Sequence, residues 1–341
     1  MEIKEPRLEL SRSQILAHRR KVGALDERLP PGTPSLERAA WAGLQDSVPR
    51  AALLSIHARV AGSEPSTWED PALVQVWGPR FTAYVVPARD QAIFTVGRYP
   101  DDGRGRQVAE EMAARLNAYL DGRRMRYDEV GFALGVNPNR LRYATATGTV
   151  LIRWEGARLP LIWTVPRPEV GPQDARRELA RRYLHVFGPT TPATFVQWAG
   201  IGSAQGRATF DALARELTPV QTPIGDGWIL TSDEPSFRAI ASPAAPARLL
   251  PSGDPYFLLQ GAGRELLVPE ADRRPLLWTP RVWPGAVLLA GEIVGTWRRD
   301  HATVSVQTWR RLSSAEHHAL EAEAHSLPLP GLAGAIMVRI D

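Results

Sequence analysis

A chain of 341 residues, 44% of them hydrophobic, is long enough for two or three compact units, and with no cysteine it has neither disulfides nor thiolate metal sites. The formal net charge is a mild +4, and of 41 basic residues only Lys4 and Lys21 are lysines. Arginine forks phosphate or carboxylate with paired hydrogen bonds, so nucleic acid is a candidate partner, and pairing with the 37 acidic residues is the competing explanation.

The opening MEIKEPRLELSRSQ lacks the apolar core of a signal peptide, and no apolar run approaches the ~20 residues of a membrane span. The expectation is a soluble, cytoplasmic protein with no membrane partner. Ser11 or Ser13 caps a predicted helix over 14–21, and Ser35 caps a second over 36–44. Residues 51–60, AALLSIHARV, have roughly helical apolar spacing. Between these helices, Gln45, Asp46 and Ser47 stand side by side at a junction, with Pro49 suited to the first turn of the third helix. Such a cluster is either a cap or a site. Residues 77–87, WGPRFTAYVVP, read as a strand. Three helices and a strand unit make the order of a winged helix-turn-helix.

The order returns twice. An amphipathic helix over 106–120 precedes a short helix from Tyr127 to a stop at Gly135, a turn at Val136-Asn137-Pro138, and a second helix over 139–143. Residues 147–154 and 159–165 then form a hairpin around Glu155-Gly156. In the third unit a helix over 172–187 is expected to carry Arg176, Arg177, Arg181 and Arg182 on its outer face. Thr191 caps 192–198, Ser203 caps a helix to 217, and 220–222 pairs with 227–230 around Gly225-Asp226. The units do not align as sequences; only their element order repeats. After a Pro/Ala-rich linker at 242–246 come short strands (247–250, 286–297, 303–309), a helix over 315–325 and a strand over 335–340. The expected fold is α+β: three tandem winged helix-turn-helix units over 1–103, 104–170 and 171–241, and a small β-rich unit over 242–341.

Five strings, in order, carry a resemblance: AGLQDSVPRAALLSIHAR from Ala42, VVPARD from Val85, FGPTTPATFVQWAGI from Phe187, RLLPSGDPYFL from Arg248 and LLAGEIVGTWRR from Leu288. Together the chain resembles the bacterial winged-helix DNA glycosylases of the AlkZ/YcaQ type over nearly its whole length. The resemblance implies a C-shaped scaffold whose basic concave face holds double-stranded DNA. It also implies hydrolysis of the N-glycosidic bond of alkylated purines, with some family members unhooking interstrand crosslinks.

An alkylated purine already carries positive charge and leaves without a strong general acid. The enzyme must stabilise an oxocarbenium-like sugar and position one water. A Gln carbonyl can hold that water and turn a negative dipole to the sugar, and a carboxylate can also act as base. The family's site resembles Gln-apolar-Gln or Gln-apolar-Asp, and the matched positions are Gln45, Asp46 and Ser47. Gln45 is kept and is expected to position water. Asp46 is expected to cap the next helix unless the backbone turns it to the sugar, and Ser47 can hold a water but is a poor base. The segment before VVPARD usually reads Arg-Gly-Thr-Leu-His. Here it is Arg80-Phe81-Thr82-Ala83-Tyr84, so Arg80 and Thr82 persist and Tyr84 replaces the His. These three join Arg104, Arg106, Arg140, Arg142, Arg298 and Arg299 as expected DNA contacts. The altered motif keeps open a second reading, a non-catalytic winged-helix DNA binder acting as damage sensor or regulator.

Other polar groups read as structural. Asp254 in Ser-Gly-Asp-Pro is expected in a turn. His57 is expected to be partly exposed. His317, His318 and His325 with Glu316 are expected on a solvated helix face rather than at a metal. No phosphate loop or nucleophile elbow is present. The expectation is a monomer that uses no cofactor and no metal.

Overall fold

The structure is a computed structural model, described over residues 8–48, 50–155, 158–240, 243–259, 261–332 and 334–341. The fold is mixed α+β, built on three sheets. A six-stranded sheet runs, neighbour to neighbour, through Leu44–Gln45, Ala83–Pro87, Leu73–Trp77, Val150–Arg153, Leu161–Thr164 and Met125–Arg126. Two hairpins meet in it where Gln75 pairs with Ile152. A three-stranded sheet joins Leu8–Glu9, in parallel, to the hairpin Leu217–Thr222/Gly225–Leu230. A five-stranded sheet near the C-terminus ends with Met337–Ile340 parallel to Thr303–Thr308. No helix is long and apolar enough to cross a membrane among the described residues.

Local chemistry explains where each element begins. Ser11 and Gln14 form a reciprocal capping box that starts the Arg12–Val22 helix. Thr191 and Thr194 do the same for Pro192–Ala199. The second predicted helix is shorter than its pattern. It spans Thr33–Ala39, starts from Gly32 with Pro34 in the first turn, and Ser35 is buried within it. It cannot reach Leu44 because Gly43 has a φ of +79°, and a Cβ there would lie 2.8 Å from the Phe94 ring. The chain leaves the helix and pairs instead, Leu44 with Val85 and Gln45 with Tyr84. The cluster at 45–47 therefore begins on a strand and not at a helix end.

Three further expectations are corrected. The single strand over 77–87 is the end of Leu73–Trp77, a tight turn over Pro79–Phe81 and the strand Ala83–Pro87. Arg80 and Phe81 make the turn with φ of 54° and 57°. The single strand over 286–297 is two, Gly285–Leu289 and Glu292–Asp300, reversed at Ala290-Gly291 with φ of 47° and 85°. The helix expected from Ser203 to 217 runs Ser203–Ala212 from a Gly202 N-cap, and Leu217 already pairs with Leu230. Residues 241–242, 156–157 and Pro49 lie outside the described residues.

The Pro172–Phe187 helix lies against several of these elements, and its arginines divide accordingly. Arg177 and Arg181 are partly exposed and pair with Asp174 and Glu216. Arg176 and Arg182 are buried, contrary to the outer-face expectation. Arg176 donates to the Gly97 and Tyr99 carbonyls and to Asp101, and Arg182 donates to the Trp41 carbonyl, Asp90 and Glu178. One aromatic core gathers Tyr183, Phe187, Phe195, Trp198 and Phe210 and continues through Tyr84 to Leu250 and Tyr256. It ties the first sheet, the central helices and the C-terminal part together.

Candidate active site

The segment from Leu44 to Ser47 behaves as an extended chain, with side chains alternating between two faces. Leu44 and Asp46 are buried, Gln45 is half-buried and Ser47 exposed. Asp46 continues the pairing, its N–H donating to the Ala83 carbonyl. The structure thus brings Gln45 and Ser47 together on the open face and turns Asp46 away from them.

On the open face, Gln45 Nε2 donates to Ser47 Oγ at 2.6 Å. Its Oε1 accepts from Arg80 Nη2 at 3.0 Å and lies 3.5 Å from the Tyr84 hydroxyl. Arg80 also donates to the Trp198 carbonyl at 3.1 Å. That carbonyl sits near the end of Pro192–Ala199, just before Gly200, whose left-handed φ brings its backbone against Arg80; a Cβ there would be 3.0 Å from Arg80 N. Gly253 closes the other side, where a Cβ would meet Gln45 Nε2 at 3.1 Å. Three of the five strings, and the Arg80–Tyr84 segment before a fourth, therefore converge on one amide.

Tyr84 takes the family's His position as a fully buried ring, and burial raises its phenol above the ordinary value. Thr82 is half-buried and donates to the Pro79 carbonyl, closing the turn that holds Arg80.

Asp46 serves the inner face. Its Oδ1 accepts the Ala52 N–H at 3.0 Å, in the first turn of the Ala51–Arg59 helix, and its Oδ2 accepts Gln75 Nε2 at 2.6 Å. The opposite end of the Gln75 amide accepts the Trp154 N–H. Asp46 thus caps a helix from outside its N-terminus and ties it to both hairpins. Burial pushes its carboxyl up to about 6, against the pull of the Ala52 N–H and Arg50. Nearby, the Arg50 and Arg153 guanidiniums lie 3.6 and 3.3 Å from the centre of one Trp68 ring. At that spacing they must cover opposite faces.

Sequence reasoning missed the role of Asp254. It lies in a turn, as expected, its N–H donating to the Pro251 carbonyl and its own carbonyl accepting the Phe257 N–H, but it is also fully buried. Arg59 forks it at 2.7 and 2.8 Å and Ser55 donates to it at 2.7 Å. It also accepts the Tyr256 N–H, which fixes the loop that presents Gly253 to Gln45. Arg59 and Ser55 sit four apart on one helix, the spacing that shares a face, and that was the available signal. His57, on the same helix, is buried rather than partly exposed. Burial lowers its ring to about 3, so it is neutral.

The expected DNA contacts separate by environment. Arg104 and Arg140 are exposed and line one groove of about 600 Å³ with Phe81, Arg98 and Tyr143. Arg106 and Arg299 are exposed, and Arg298 is exposed with one bond to the Val282 carbonyl. None of these five makes an ion pair among the described residues. Arg142 is half-buried instead, donating to the Phe81 carbonyl at 3.4 Å beside Trp77. Glu316 forms a capping box with Ser313 and pairs with Arg310, and His317 pairs with Glu321 on the same helix. One group of metal-ligand types converges among the described residues: His18, His185 and Asp233. His185 hydrogen-bonds to Asp233, and His18 to Ser236 and the His185 carbonyl, so each group serves the packing of three elements.

Comparisons with known proteins show the family and the fold. The sequence model of the family described as "DNA glycosylase AlkZ-like" matches residues 38–328. An interstrand DNA cross-link repair glycosylase of Streptomyces sahachiroi is 27% identical over 218 residues, which cover 56% of this chain and 58% of that relative. The solved Streptomyces sahachiroi DNA glycosylase AlkZ superposes with a TM-score of 0.78 at 19% identity, over 98% of this chain and 100% of that one, a likeness of fold. The family match spans the Gln45 segment and everything that packs on it, and the chain belongs to the AlkZ-like DNA glycosylase family.

Proposed function

We propose that the chain is a monofunctional DNA glycosylase that releases alkylated purines, or unhooks crosslinks made through them, from duplex DNA. One observation carries this reading: Gln45 and Ser47 share an accessible face, held by Arg80, at the positions where the family resemblance places its site. Gln45 Oε1 has two lone pairs; Arg80 takes one at 3.0 Å, and the Tyr84 hydroxyl approaches the other at 3.5 Å, a long contact that a water displaces. The second accepts a hydrogen bond from the attacking water, which loses a proton to solvent as the C–N bond breaks and the neutral purine leaves, while the carbonyl dipole stabilises positive charge growing on the sugar. Ser47 Oγ accepts from Gln45 and keeps its own O–H to steer that water or a DNA phosphate. The leaving purine is already cationic, so the reaction needs no general acid, metal or cofactor. The helix-and-hairpin units are read as tandem winged helices around duplex DNA, with Arg104, Arg106, Arg140, Arg298 and Arg299 offered to phosphates and the protein acting as a monomer. The test is single-turnover incubation with a duplex containing 7-methylguanine. Abasic sites form with the native chain and not with Gln45→Ala; no release by the native chain sinks the reading.

A second reading is a DNA binder without catalysis. It is favoured by the Tyr84 hydroxyl lying beside Arg80 at Gln45 Oε1, and by the motif's one carboxylate, Asp46, facing inward. It predicts salt-sensitive duplex binding with no abasic product.

A further inference from the structure

The Arg80-Phe81 turn has two sides. Arg80 faces the Gln45 amide, and Phe81 faces the groove of about 600 Å³ described above. That size lies within the roughly 300–1,000 Å³ of small-ligand clefts. Phe81 meets Tyr143 edge-on, with centroids 5.6 Å apart at 84°, and Tyr143 remains 41% exposed. The Arg98 guanidinium lies 4.4 Å over the Phe81 ring, held by the Ala199 and Trp77 carbonyls. Arg104 and Arg140 line the groove, and Gly200 and Gly202 form part of another wall.

Charge decides what such a groove accepts. Three arginines line it against a single carboxylate, Asp102, whose Oδ1 already accepts the Gly105 N–H at the start of Gly103–Leu120. Neither Arg98, Arg104 nor Arg140 makes an ion pair among the described residues. An anion is wanted there, yet a bare phosphate would leave the aromatic pair uncovered. A nucleotide meets both demands, with a flat base for the rings and a phosphate for the arginines. A base paired inside the duplex cannot offer its face, so the nucleotide must be out of the stack.

We propose that this groove holds one unstacked nucleotide of the bound DNA, its base against Tyr143 and Phe81 and its phosphate at Arg104 and Arg140. This site is separate from Gln45 but shares the Arg80-Phe81 turn with it, so the extruded nucleotide is registered one residue from the group that holds the amide. The inference rests on the DNA-binding reading, and its test does not require base release.

The experiment compares two undamaged duplexes of equal length, one fully paired and one with a single extrahelical 2-aminopurine. The bulged duplex is expected to bind about tenfold tighter, the scale of one base stacked on an aromatic side chain, and its fluorescence to be quenched on binding. Tyr143→Ala removes both the preference and the quenching while changing affinity for the paired duplex less than about threefold. Tyr143→Phe keeps them. Arg104→Ala combined with Arg140→Ala weakens both duplexes and flattens the salt dependence. Equal affinity for the two duplexes, or a preference that survives Tyr143→Ala, overturns this proposal and leaves the glycosylase reading standing. Binding of neither duplex at low salt overturns both.

Discussion

Two faces of one short strand divide the work of the 44–47 segment. The outer face holds Gln45 and Ser47, half-buried and exposed, bonded to one another, with Arg80 donating to Gln45. The inner face holds Asp46, buried and bonded to a helix N-terminus and to Gln75. Neighbours in sequence thus sit in opposite environments, because an extended chain turns each side chain away from the last. Reading three polar residues as one motif hides this, and the strand separates a group free to meet a substrate from one that holds the scaffold.

That contrast can be broken by mutation. Asp46→Ala leaves the Ala52 N–H and the Gln75 amide without their acceptor, and each orphaned buried donor costs about 1–3 kcal/mol. The expected loss is about 2–6 kcal/mol in urea unfolding, with base release per folded molecule little changed. A stable Asp46→Ala protein with lost activity would reverse the roles of the two faces.

Acidity sharpens the same contrast. Asp46 is raised from 3.8 to about 6 by burial. Below about pH 4 it is protonated in both folded and unfolded chains. Between about 4 and 6 the folded chain keeps a proton that the unfolded chain gives up, so this group's contribution to stability is greatest below about pH 4 and is lost as pH rises through about 6. The change is on the order of 3 kcal/mol. Other carboxylates titrate too, so the measurement is the stability difference between Asp46→Asn and the native chain at pH 4 and 7. It should move in favour of Asn as pH rises, apart from a constant offset for the changed hydrogen bonds. A difference independent of pH would mean that Asp46 is not desolvated.

The smallest effect belongs to Ser47. Its hydroxyl accepts one hydrogen bond from Gln45 at an exposed position. Ser47→Ala is expected to slow base release by about tenfold, the size of one neutral hydrogen bond, without a measurable change in stability. A loss as deep as that of Gln45→Ala would make Ser47 a principal group.

Much of this was legible in the sequence. Ser11 and Thr191 capped helices near where their spacing placed them, because caps are local. The family resemblance led to Gln45 and Arg80, which meet in space. Other features depend on partners far along the chain. Arg176 and Arg182 looked outward because arginine is usually exposed, yet backbone carbonyls and carboxylates from residues 41–101 draw them inside. Asp254 was legible as a turn residue, but its buried ion pair was not, because its partner Arg59 lies 195 residues away. The breaks at Gly43 and at Gly78-Pro79 were written locally and were overrun by apolar pattern; glycine and the Gly-Pro pair were the stronger signals.

The central claim is that Gln45 acts on the substrate and Asp46 on the scaffold. Single-turnover release of 7-methylguanine by Gln45→Ala and Asp46→Asn, both shown to be folded, tests it most directly. Gln45→Ala should be slower than the native chain by about 100- to 1,000-fold, as for the loss of one transition-state dipole, and Asp46→Asn should stay within about fivefold. Equal losses in the two variants, or an active Gln45→Ala protein, would contradict the account.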